Sequence, residues 1–195
     1  MGFLADISQN IVPFLENKLG VWHDIITYIV GAIAIAFLVL SFQMKNRKRI
    51  LLVHALASLT WICYYLLNGD LTSGLIASVS VIRNGFFLLK EKYAWAKSIA
   101  FLFVFIAINL TFGIISFNTY KDIFPILGGI GSTTAFFMTK ERNIRIFSFI
   151  AYVFWMCNSI SKGYLMSFIS DFLTLSSVII ALIRYRKNKK LEETK

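Results

Sequence analysis

Proline, cysteine and histidine are nearly missing from this chain, with two of each among 195 residues. Two cysteines cannot build the disulfide framework of a small secreted domain, and two histidines are too few for a histidine-rich metal motif. Charge is scarce as well. Asp, Glu, Lys and Arg together make up 15% of the chain, against about 25% in soluble domains. Hydrophobic residues reach 57%, 19 residues are Phe, and mean hydropathy is +0.70. A chain of this length has too little interior to hide so much apolar surface from water. Both a disordered chain and a water-soluble globular domain are excluded, and lipid is the solvent that remains.

The 20 basic residues outnumber the 10 acidic ones and give a net charge of +10. They do not form one stripe interleaved with aromatics, as a nucleic-acid groove would need, so no nucleic-acid partner is expected. Instead they punctuate seven apolar stretches: Ile25–Gln43, Ile50–Leu67, Leu71–Leu89, Ser98–Phe117, Ile123–Met138, Ile144–Ile160 and Tyr164–Ile183. Most hold 17–20 residues, and a helix rising about 1.5 Å per residue then matches a hydrocarbon layer of roughly 30 Å. The expected fold is an all-α membrane protein with seven transmembrane helices. Lys45, Arg47, Lys48, Arg49, Lys90, Lys92, Lys97, Lys140, Arg142 and Arg145 share one side with the six basic residues of the 184–195 tail. Lys18, Lys121 and Lys162 have the other side to themselves. That asymmetry places the N-terminus outside and the tail in the cytoplasm, where it meets anionic lipid. Residues 1–24 read as an outside segment, with Leu4, Ile7, Ile11 and Phe14 spaced for a helix on the membrane surface.

Shifting the sequence by 94 residues superposes Trp61 on Trp155, Cys63 on Cys157, Gly69 on Gly163, Leu71 on Leu165 and Ser73 on Ser167 without a gap. Phe42/Phe136, Met44/Met138, Ile50/Ile144, Ala57/Ala151 and Leu88/Leu182 coincide too. Residues 25–89 and 123–183 therefore read as duplicated three-helix repeats, with 98–117 as a linker helix. The extra crossing gives both repeats the same orientation, and such parallel pairs build a solute site at their interface near the bilayer midplane.

Three stretches carry a resemblance: Ser80-Val-Ile-Arg83-Asn84, Pro125-Ile-Leu-Gly128-Gly-Ile-Gly-Ser-Thr133, and the run from Trp155 through Asn158, Gly163 and Asp171 to Arg184. With the 3+1+3 layout, the chain resembles the SWEET/PQ-loop superfamily of small-solute transporters. Within it, residues 25–187 are most similar to the YgjV-type bacterial inner-membrane proteins. The Pro-Gln pair of PQ-loop relatives is replaced by Phe42–Gln43 and Phe136–Phe137, so a proline hinge is not expected there. The resemblance implies a bacterial inner-membrane location and aromatic pocket walls from the second helix of each triplet, here Trp61 and Trp155. It places the polar pocket position on Ala77 and Asp171, an asymmetric pair.

Read from the residues themselves, Tyr64 and Asn158 follow the tryptophans by three positions and share their helical faces. Ser80 and Asn84 on the third stretch, and Asp171 and Thr174 on the seventh, complete a candidate substrate site. Interfacial anchoring of the aromatics and close packing of the small hydroxyls are the competing explanations. Asp171 lies roughly 10 Å inside its helix. A carboxylate there costs several kcal/mol unless paired, hydrated or protonated, so it should face the interior as a solute ligand or proton-coupled group. Arg83 and His54 are the candidate inner gate. Arg83 is either that or an anion contact beside Asn84, the alternative being a side chain that snorkels to the headgroups. Arg83 and Asp171 differ in depth by roughly 8 Å, so no permanent salt bridge is expected. Asn109 should bond to a neighbouring helix, while Cys63 and Cys157 should point away from the site. Gly129-Ile-Gly131-Ser-Thr-Thr134 fails as a dinucleotide loop, and H-E-x-x-H and G-x-S-x-G are absent from the sequence. No cofactor, metal or enzymatic activity is expected. The expected function is transport or facilitated passage of a small polar solute, sugar-like or another small metabolite, by alternating access. A non-transporting scaffold or sensor is the alternative, and the oligomeric state is left open.

Overall fold

A computed structural model describes residues 3–43, 47–89, 93, 96, 98–138 and 141–193. Eight α-helices account for nearly all of them: α1 (Phe3–Leu19), α2 (Trp22–Gln43), α3 (Arg47–Leu67), α4 (Leu71–Leu89), α5 (Ala100–Ile115), α6 (Ile123–Phe137), α7 (Glu141–Lys162) and α8 (Leu165–Glu193). Among the described residues there is no strand. Backbone groups in lipid must be satisfied within the segment, and each of the seven apolar stretches is helical. Trp22–Ser41, Leu71–Leu89 and Asn143–Lys162 are long and apolar enough to cross a membrane, and Leu51–Leu67, Ala100–Ile115 and Leu165–Ile180 are shorter apolar helices.

Two boundaries differ from those the apolar runs suggest. The fourth run is helical only over Ala100–Ile115. The last helix does not stop with the apolar run at Ile183 but continues through the basic tail to Glu193. Lys and Arg are good helix formers, and no Gly or Pro interrupts them. The basic side chains expected at the headgroups, except Arg49 and Arg145, lie outside the described side chains, as do Leu4 and Ile7.

Burial is inverted relative to a soluble protein. Ile82, Phe103, Ile114 and Ile183 are each more than 60% exposed, whereas Arg83, Asn84, Asn109 and Asn158 are at most 1% exposed. Apolar side chains face outward, where lipid would be, and most of the polar ones are paired within the bundle.

α3 packs against α2 and α4, α7 packs against α6 and α8, and α5 packs against α4 and α6. The two triplets pack most extensively through α4 with α6 and through α2 with α8. The α3–α4 and α7–α8 turns are built alike. Gly69 and Gly163 take positive φ of 68° and 76°, a conformation that costs glycine nothing. Asp70 N–H bonds to Tyr65 C=O at 2.8 Å, and Tyr164 N–H bonds to Ser159 C=O at 2.9 Å. Gly69 N–H reaches Leu66 C=O at 3.0 Å, and Gly163 N–H reaches Ile160 C=O at 3.3 Å. This is the Schellman arrangement for ending a helix, formed twice at positions 94 residues apart. The end of the bundle with these turns is here the turn end, and the opposite end, beyond Gln43, Leu89 and Phe137, is the basic end.

Candidate functional site

Between the triplets lies a cavity of about 60 Å³. It is lined by Leu38, His54, Ser58, Trp61, Tyr65, Ala77, Ser80, Arg83, Ser132, Tyr152, Trp155, Ser167, Ser170 and Asp171, which come from all six helices of the triplets. Six of the ten expected site residues are therefore gathered there: Trp61, Ser80, Trp155 and Asp171, with the gate pair His54 and Arg83. Ala77 and Asp171, the asymmetric pair, both line it. Tyr64, Asn84, Asn158 and Thr174 do not. Tyr64 packs edge-on to Trp61 and against the Gly31 face of α2. Asn158 donates to Ser73 Oγ at 3.2 Å, bridging α7 and α4. Thr174 lines a second cavity of about 260 Å³ with Ile35, Leu38, Val39, Ser170, Leu173 and Ser177. Asn84 lies behind the wall, as the link between Arg83 and His54.

Aromatic rings fill the centre. Tyr65 is stacked between the tryptophans, 5.7 Å from Trp61 and 6.0 Å from Trp155. Such contacts contribute about 0.5–1.5 kcal/mol each beyond area burial. Both indoles line the cavity, and the sequence gives no sign that a ring of this chain stacks on each of them. Trp155 is fixed from behind by Gly128, where a Cβ would come within 2.8 Å of the indole Nε1.

Toward the basic end the polar groups descend from one cation. Arg83 donates from Nε and a terminal nitrogen to Asn84 Oδ1 at 3.4 and 3.3 Å, and from the other terminal nitrogen to Thr133 Oγ1 at 3.0 Å. Its guanidinium carbon lies 5.1 Å over the Phe136 ring. Because Asn84 Oδ1 must face this donor, its Nδ2 is turned to His54 Nδ1 at 3.2 Å. His54 Nδ1 is then an acceptor, which makes the ring neutral with its proton on Nε2. From there it reaches the Tyr152 hydroxyl at 3.4 Å. Asn109, as expected, bonds across helices, donating to Thr133 Oγ1 at 3.2 Å.

Toward the turn end the groups converge on a carboxyl group. Ser159 Oγ lies 2.7 Å from Asp171 Oδ2, Ser167 Oγ 2.7 Å from Ser159 Oγ, and the Tyr65 hydroxyl 3.1 Å from Ser167 Oγ. Hydroxyl contacts thus run without a break from Tyr65 through Ser167 and Ser159 to the Asp171 carboxyl. Two of the side chains that sequence reasoning missed, Tyr65 and Ser159, each follow their tryptophan by four positions.

Beyond this, at the turn end itself, Lys162 Nζ lies 2.9 Å from Asp70 Oδ2 and 2.7 Å from Asp122 Oδ1. Asp70 also caps α4, accepting from Ser73 N–H at 3.0 Å and Ser73 Oγ at 2.6 Å. Asp122 accepts the backbone N–H groups of Asn118 and Thr119 at 2.9 and 2.8 Å. Burial alone would raise the Asp122 carboxyl, but the Lys162 ammonium and these N–H groups hold it below its ordinary 3.8. Lys121 Nζ donates to Ser161 C=O at 2.6 Å alongside. Cys63 is exposed and Cys157 half-buried, both are free thiols, and neither lines the cavity. Among the described residues no group of three His, Cys, Asp or Glu could hold a metal.

A family model of bacterial inner membrane proteins, Imp-YgjV, matches residues 25–189. No curated protein and no solved structure matches the chain. With nearly the whole chain matched and helices apolar enough to cross a bilayer, the protein belongs to the Imp-YgjV family and resides in the bacterial inner membrane.

Proposed function

We propose that the chain is a transporter or facilitator of a small polar solute, working by alternating access as residues 25–89 rock against residues 123–183. In this reading α2 to α8 span the membrane as two parallel triplets of SWEET/PQ-loop type with α5 as linker. The uneven sharing of basic residues sets the turn end outside. The repeated turn geometry at Gly69 and Gly163 supports the duplication. So do the two most extensive contacts between the triplets, each joining the first helix of one triplet to the last of the other, as an axis along the membrane normal requires.

The observation that carries the proposal is the cavity between the triplets, which brings two tryptophans, a buried cation and a buried carboxylate to one place. About 60 Å³ holds roughly two waters, and solute pockets begin near 300 Å³. The conformation is therefore a contracted one, and a sugar-sized solute enters only as the triplets part. The Tyr65 ring holds the position the solute takes between Trp61 and Trp155. The Lys162–Asp70–Asp122 cluster is then the outer closure.

Osmotic swelling of proteoliposomes tests this. Vesicles holding the protein should swell faster than empty ones in isosmotic solutions of at least one of glycerol, glucose, sodium acetate or sodium phosphate. Asp171→Asn and Trp155→Ala, if still monodisperse, should abolish the difference. Swelling at the empty-vesicle rate with every solute leaves a non-transporting scaffold or sensor as the surviving reading.

A further inference from the structure

The proposed site deepens on one point. Arg83 is 1% exposed and lines the cavity, yet none of the ion pairs among the described residues includes it. Its neighbours Asn84, Thr133 and Phe136 are neutral, and the hydrogen-bond pattern makes His54 neutral as well. Of its five N–H bonds, three find acceptors among the described residues. A guanidinium withdrawn from water costs several kcal/mol unless a counter-charge meets it, and Arg presents a planar fork suited to carboxylate or phosphate.

Asp171, the cavity's carboxylate, does not supply that charge. Ser159 holds it, roughly 9 Å nearer the turn end by helical rise. A second donor stands beside Arg83 instead. The Tyr152 hydroxyl, which also lines the cavity, accepts from His54 Nε2 and so has its own proton to give.

We infer that Arg83 is an anion-binding residue and that the molecule this cavity takes carries an oxyanionic group, a carboxylate or a phosphate. Arg83 holds one edge of that group in the membrane interior and the Tyr152 hydroxyl reaches it from α7. Because the two residues belong to opposite triplets, the anion itself draws the halves together at the basic end. Asp171 then accepts a donor from the remainder of the same molecule, across the tryptophans. The inference rests on the cavity being the solute site, but it commits to the charge of the ligand where that reading does not.

The test uses the full-length protein in nanodiscs at constant ionic strength, titrated with sodium acetate, sodium phosphate and glucose. Binding is read from tryptophan fluorescence, since Trp61 and Trp155 line the cavity, and from the thermal midpoint. Acetate or phosphate should give a saturable response and glucose should give none. The oxyanion that responds identifies the group. Arg83→Gln should weaken that response about tenfold or more, with Arg83→Lys between the two. Tyr152→Phe, which keeps the ring, should weaken it severalfold and stands in if Arg83→Gln does not fold. A saturable glucose response without an oxyanion response overturns the inference, as does an oxyanion response unchanged in Arg83→Gln, or no response to any probe. Swelling separates this from the transport reading. Oxyanion binding without permeation upholds the anion site and sinks transport, and glucose permeation with no oxyanion response does the reverse.

Discussion

Lys162 and Arg83 are both cations withdrawn from water, one at the turn end of the bundle and one toward the basic end, yet only Lys162 faces carboxylates. Lys162 is 11% exposed and touches Asp70 and Asp122, each of which has further donors from its own backbone. Arg83 is more deeply buried and, among the described residues, has only neutral partners. A cation whose counter-charges are built into the chain ties the chain together. One whose counter-charge is absent is kept for something that arrives from outside. In the proposed reading, that contrast gives closure to one end and recognition to the other.

Removing each cation should separate the two roles most sharply. Lys162→Met strands two carboxylates out of water, and breaking a buried pair costs about 3–5 kcal/mol. The thermal midpoint in detergent should fall accordingly, and adding Asp70→Asn and Asp122→Asn should recover most of the loss. Arg83→Met strands no carboxylate. It leaves Asn84 Oδ1 without its donor, a cost of about 1–3 kcal/mol, offset by removing an uncompensated charge. Equal losses in the two variants would break the comparison.

The layer of rings between the ends comes next. In Gly128→Ala the new methyl group meets the indole of Trp155 within 2.8 Å, and overpacking of this kind costs about 1–3 kcal/mol. The displaced indole should shift the tryptophan emission maximum. An unchanged spectrum and midpoint would mean that the stack is loose enough to yield without help. Tyr65→Phe is milder. The ring and its stacking stay, and only the hydroxyl that reaches Ser167 is lost, for about 1 kcal/mol.

Much of this was legible in the sequence. Apolar length alone marked the helices, and Trp61, Trp155, Arg83, His54, Ser80 and Asp171 were recognisable because each is costly or conspicuous in lipid. The failures were of two physical kinds. A step of three residues turns a helix by 300° and a step of four by 400°, so both lie near the starting face. In each triplet the fourth residue, Tyr65 or Ser159, joins the site, and the third, Tyr64 or Asn158, packs aside. Periodicity does not resolve that difference; the neighbouring helices do. The second failure is distance along the chain. Lys162 looked like a lone loop charge because its carboxylates are 92 and 40 residues away, and no local pattern announces such a meeting.

Acid offers the gentlest way to sharpen the contrast. Asp122 is held below 3.8 by Lys162 and two N–H groups, against the opposing effect of burial. A carboxyl depressed by folding contributes stability that is complete above its unfolded value and is lost as pH falls through the folded one. The thermal midpoint should therefore be flat near neutrality and begin to fall below about pH 4. In Lys162→Met the ammonium no longer depresses Asp122, so less of that variant's stability should disappear over the same interval. Among the described residues Arg83 has no carboxylate partner whose protonation could loosen it, and Arg83→Met should follow the parent's acid profile. A parallel fall in the parent and in Lys162→Met would show that acid acts elsewhere in the bundle, and that the turn end is not held by charge.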